Sequence, residues 1–109
     1  MSWPIEPPYY DREGAPISFR QWAELHRDVT YIVVRRTYVN ENTEREVSVS
    51  TVWLGIDHAF GSGPPIIFET MTFGGAHDGE IFDRYPTELA AVAGHEQAVA
   101  RERDEARRR

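Results

Sequence analysis

Asp57, His58, Glu69, His95 and Glu96 are the side chains here whose types suit a ligand pocket. Asp57-His58 closes an extended stretch beside Phe60-Gly61, and Glu69 sits in the middle of another. His77-Asp78 falls in a glycine-bracketed loop, and His95-Glu96 on a helical segment. The chain has no cysteine, so histidine and carboxylates are its natural transition-metal ligands. Their spacing fits no helical zinc motif, because an H-E-x-x-H pattern starting at His95 would need histidine where Val99 stands. The expectation is no metal and no cofactor, with His58 capping a strand end and His77 exposed.

Glu96 is the sharpest of these residues. At 100° per residue, Leu89, Val92, Ala93, Glu96, Val99 and Ala100 share one arc of the helix. A carboxylate on a core arc needs a partner, for which His58, His26, Arg35 and Arg36 are candidates. That reading favours a structural pair over acid–base work. Ser48, Ser50 and Thr51 lie on a strand without a G-x-S-x-G setting, so no residue is assigned a catalytic role. Gly61-Ser62-Gly63-Pro64-Pro65 and Gly74-Gly75 lack the lysine and following helix of a phosphate loop and read as turns.

The elements that must position these groups form an α+β pattern, α-β-β-β-(β)-α. Ser18 and Gln21 make a capping box, with Ile17 and Trp22 placed as a hydrophobic staple, so a short helix runs over about 19–27. Three strands follow: 31–39, rich in Val, Ile, Tyr and Thr; about 45–57; and 66–73. Asn40-Glu41-Asn42-Thr43 is turn chemistry closing the first hairpin. Residues 80–85 are a candidate fourth strand, completing a three- to four-stranded antiparallel meander. Thr87 caps a helix over about 88–105, within which Gly94 costs about 1 kcal/mol against alanine. Residues 1–16, with four of the seven prolines and Tyr9-Tyr10, read as an extended arm. Residues 17–105 form the domain and 106–109 an arginine-rich tail.

The 109 residues fit one domain, and 40% hydrophobic content suffices for a modest core. Nothing is long and apolar enough to span a membrane, and Met1–Glu6 has neither the basic nor the apolar region of a secretory signal, so a cytoplasmic location is expected. All twelve basic residues are arginine, and the net charge is −6. An acidic body repels phosphate backbones, which disfavours nucleic acid as a partner.

Side chains alternate across a strand. One side of the second strand carries Val47, Val49, Thr51 and Trp53; the other carries Ser48, Ser50, Val52, Leu54 and Ile56. The third strand divides Phe68, Thr70 and Thr72 from Glu69, Met71 and Phe73. Both sides are partly apolar, more than one helical layer hides. A homodimer is expected, with Val52, Leu54 and Ile56 and the arm residues Trp3, Tyr9 and Tyr10 as interface candidates; the alternatives are one helix on each face, or a monomer whose N-terminal arm lies over the second face.

The string Ser50–Gly75, with Trp53-Leu54-Gly55-Ile56-Asp57-His58 and Ile66-Ile67-Phe68-Glu69-Thr70-Met71 inside it, and the string Tyr85–Glu96 resemble a family of small uncharacterised proteins of actinobacterial phages and prophages. The resemblance covers about residues 20–100. It implies a phage gene product made in a bacterial cytoplasm, and it brings no activity or site residues.

The expected function is that of a non-enzymatic phage accessory protein acting by protein–protein contact, with a host protein as a further partner. Two alternatives stand beside it. One is a small-molecule or nucleotide binder, or small enzyme, with a pocket near Asp57, His58, Glu69 and Glu96. The other is a minor virion component.

Overall fold

The hydrogen-bonding chemistry at Ser18 starts the first helix as its spacing requires. Ser18 Oγ accepts from the Gln21 amide at 3.1 Å, and Gln21 Oε1 accepts from the Ser18 amide at 3.0 Å. The computed structural model describes residues 8–58 and 63–108. Trp3, Phe60-Gly61-Ser62 and Arg109 lie outside them.

In chain order the elements are β1 (Tyr9–Tyr10), β2 (Pro16–Ile17), α1 (Phe19–Leu25), α2 (Val29–Ile32), β3 (Val33–Val39), β4 (Val47–Trp53), β5 (Phe68–Phe73), a 3-10 turn (Gly75–His77), β6 (Ile81–Tyr85) and α3 (Glu88–Arg107). The fold is α+β, as the pattern predicts. β3-β4-β5-β6 form a four-stranded antiparallel meander, and β1 pairs with β2 in a small second sheet. Both edge strands of the meander have irregular register, between Val33 and Arg35 and opposite Thr70/Met71.

Three details depart from the sequence reading. The expected arm folds back from residue 9 as the β1–β2 pair and docks on the end of β4, where the Tyr10 amide donates to Gly55 O at 2.9 Å. One helical turn, capped by Asp28, precedes β3 where strand was expected. The last helix runs through Arg107, taking in part of the expected tail.

The register fixes which side chains share a face. Val47, Val49, Thr51 and Trp53 of β4 align with Thr72, Thr70 and Phe68 of β5 on the side covered by α3. The helix buries Ala91, Gly94, His95, Ala98, Val99 and Glu102 against them. This corrects the expected arc. Leu89 is 83% exposed and Glu96 is exposed too. Small residues face the sheet because the helix sits close to it: a Cβ at Gly94 would collide with the Tyr85 ring.

The core has two apolar parts. Val39, Val47, Val49, Ala98 and Val99 form one. Trp53, Ile67, Phe68, Tyr85 and Ala91 form the other, joined by Tyr10, Ile17, Trp22, Leu25, Tyr31 and Ile32 from the N-terminal elements. Gly55 is required at their junction. Its φ is +73°, and a Cβ there would meet Trp22 Cδ1 at 2.7 Å and the Trp53 ring.

Candidate functional site

Between the two apolar parts lies a polar band. His95 is fully buried, and its Nδ1 and Nε2 reach Thr51 Oγ1 at 2.7 Å and Thr37 Oγ1 at 2.8 Å. Thr51 Oγ1 in turn lies 2.5 Å from Thr70 Oγ1. The chain of bonds closes with a neutral imidazole in either direction, because each hydroxyl both donates and accepts. Burial holds the His95 pKa below its ordinary value. Satisfied in this way, His95 is a core cross-link between α3 and the middle of the sheet.

The other expected pocket residues do not gather around it. Glu96 pairs with Arg35, one of its anticipated partners, at 2.8 Å on the surface. Glu69 points from the opposite side of the sheet and accepts from Arg84 Nε at 2.9 Å. Asp57 Oδ1 accepts from the Ile66 amide at 2.8 Å, and the His58 amide donates to Ile66 O at 2.9 Å, so both brace the entry to β5. Because Glu69 and Glu96 belong to opposite faces, these residues form no common pocket.

A group missed by the sequence reading forms where the 3-10 turn meets α3. His77 is not free in solvent: Nε2 donates to Glu105 Oε1 at 2.8 Å and Nδ1 to Glu80 Oε2 at 3.1 Å. Glu105 first, then Glu80, raises the His77 pKa above its usual value. Glu102 is 4% exposed, and its Oε2 accepts from Arg101 Nε at 3.0 Å. The Arg101 guanidinium lies 4.9 Å over the Phe82 ring, and its Nη2 is buried without a partner among the described residues. A cavity of about 160 Å³ adjoins the group, lined in part by Val39, Val47, Gly75, Glu102 and Glu105. Glu102 follows Val99 by three and His95 by seven, so the correct helix phase would have exposed it as a carboxylate on the buried stripe.

No family model, curated protein or solved structure matches this chain.

The far side of the sheet is the remaining candidate surface. Its cross-strand rows are Val33–Val52–Glu69–Arg84, Arg36–Ser50–Met71–Ile81 and Tyr38–Ser48–Phe73. α3 and the N-terminal elements all pack on the other side, and no described element covers these rows. Tyr38, Phe73 and Ile81 are 43%, 45% and 46% exposed. Arginine stems lie across the remainder, with Arg36 Nη2 donating to Ser50 Oγ at 3.4 Å and Arg84 on Glu69. Of the expected interface residues, Val52 belongs to this face. Leu54 O accepts from Trp22 Nε1 at 3.0 Å and lies 2.9 Å from His26 Nε2, and Ile56 bridges to Tyr9, so the backbone of these two and the Tyr9–Tyr10 pair serve the docking of the N-terminal segment, while the Ile56 side chain stays exposed. Among the described residues no helix is long and apolar enough to cross a membrane.

Proposed function

We propose that this is a non-enzymatic interaction protein that pairs with a second copy of itself through the open face of the sheet. The observation that carries the reading is that the helices and the N-terminal segment share one side of the sheet, leaving Tyr38, Phe73 and Ile81 exposed and Val52 and Met71 half-buried on the other, with no described element over them. Charge favours a second copy on that side. The chain carries a net −6, whereas the face carries Arg36 and Arg84 against Glu69, so a second copy meets less negative charge there than the chain carries on average.

Area sets the strength. Four strands about 4.8 Å apart and six residues long at about 3.3 Å give a face of roughly 400 Å² per copy. Standard stable interfaces bury about 800 Å² per partner, so the association is weak and reversible. The resemblance to phage and prophage proteins supplies the setting, an accessory role in the cytoplasm of an infected bacterium. A nucleotide pocket near Asp57, His58, Glu69 and Glu96 is less well supported, since Glu69 and Glu96 belong to opposite faces of the sheet.

Light scattering across a dilution series tests the proposal. The mass should climb from one chain toward two as concentration approaches about 1 mM, the range of weak interfaces. Met71→Arg should hold it at one chain with unchanged circular dichroism. A wild-type mass fixed at one chain throughout, or a dimer indifferent to Met71→Arg, would overturn it.

A further inference from the structure

We propose that His77, Glu102 and Glu105 bind one divalent transition-metal cation, with Zn²⁺ the ion their donors suit best. One donor atom from each of the three lies within 4.8 Å of the others. Bonds of about 2.0–2.2 Å at a tetrahedral angle call for donor separations near 3.4 Å, a contraction that side-chain rotation supplies. Imidazole with two carboxylates is a donor set for zinc and its neighbours rather than for Mg²⁺ or Ca²⁺, which take oxygen shells.

Three observations separate this group from an ordinary acidic surface. First, Glu102 is 4% exposed, and its ion pair with Arg101 Nε uses Oε2 and not Oε1. Oε1 looks toward the turn, 4.0 Å from where a Gly75 Cβ would stand. Second, His77 is oriented as metal-binding histidines are. Nδ1 faces Glu80 at 3.1 Å, which directs Nε2 toward α3. The turn carrying it is anchored, with Thr72 Oγ1 donating to His77 O at 2.7 Å and the Gly74 amide donating to Asp78 Oδ1 at 2.7 Å. Third, the cavity of about 160 Å³ beside Glu102 and Glu105 leaves room for water to complete the shell.

The i, i+3 spacing of Glu102 and Glu105 brings both carboxylates to the same side of α3, and the cation would replace the proton that now joins His77 to Glu105. The site would fasten the 3-10 turn to the last helix, across the end of the sheet opposite the N-terminal elements.

Calorimetric titration of chelator-stripped protein with ZnCl₂ tests this. One ion per chain should bind, and His77→Ala and Glu105→Gln should each weaken binding at least tenfold, while Glu96→Gln, outside the group, leaves it unchanged. Both weakening substitutions are at partly exposed positions, and unchanged circular dichroism separates loss of ligation from loss of fold. A ¹⁵N spectrum of the wild type provides an independent readout, in which Zn²⁺ should shift the His77 Nε2 resonance. No binding, binding untouched by both variants, an unmoved His77 resonance, or equal affinity for Mg²⁺ would each overturn the assignment.

Discussion

Tyr85 fills the space that a side chain on Gly94 would need. The phenol is buried against the helix backbone, and burial raises its pKa while a hydrogen bond with the Thr70 side chain opposes the rise. Helix propensity alone says that Gly94→Ala should stabilise α3 by about 1 kcal/mol. Overpacking in a close-packed core costs about 1–3 kcal/mol, so the net effect should be a loss and a melting temperature lower by several degrees. Tyr85→Phe should cost at most about 1 kcal/mol, the worth of one weak hydrogen bond to Thr70. Thermal melts of the two variants check both signs.

His95→Ala should be among the most damaging substitutions in the chain. It leaves Thr37 and Thr51 without their ring partner and opens a void between the two apolar parts of the core. Unsatisfied buried hydroxyls and a cavity together predict a loss of about 3 kcal/mol, read from urea denaturation.

The same histidine should make the fold acid-sensitive. Its folded pKa lies below that of the unfolded chain, so the unfolded state binds the proton more readily. Its contribution is complete above the unfolded value of about 6.5 and is lost as pH falls through that value toward the folded one. His77 has the opposite sign: its pKa is raised, so its contribution is present at low pH and is lost as pH rises through the folded value. In a His77→Ala background, urea midpoints should therefore fall from pH 8 to pH 5.5, and the His95 ring resonances should titrate below the ordinary histidine range.

Arg12 ties the N-terminal segment to the last helix. Its Nε donates to Glu88 Oε1 at 2.8 Å and its Nη1 to Tyr31 O at 3.0 Å, and the guanidinium lowers the Glu88 pKa. That contribution is present above the ordinary Glu pKa and is lost as pH falls through the lowered one. With Glu88 42% exposed, the pair contributes only about 0.5–1 kcal/mol. Arg12→Ala should therefore leave global stability almost unchanged. It should, however, speed hydrogen exchange at the Tyr10 amide, which donates to Gly55 O.

The local signals in the sequence carried through to the structure. Ser18 and Gln21 cap as their spacing requires, Thr87 accepts from the Ala90 amide at 3.1 Å, and the alternation of β4 and β5 divides their faces as expected. The phase of α3 is not legible in the sequence, because Leu89, a large apolar residue, stays in solvent while the contact is made by the small Ala91, Gly94 and Ala98. Close approach selects small side chains, and a hydrophobicity count undervalues them. That expected phase puts Glu96 on the core side and Glu102 off it, the reverse of the structure. The pairing of His77 with Glu105 spans 28 positions, so spacing within either segment could not reveal it.

The two irregular outer strands of the meander bear on what else this molecule can stick to. β3 carries Arg35-Arg36 and β6 carries Asp83-Arg84, each beside its break in register. Charges and bulges at a rim deny a foreign chain the straight, uncharged template that fibril growth needs. Edgewise zipping is thus disfavoured, and high concentrations should give discrete particles rather than gels or amyloid.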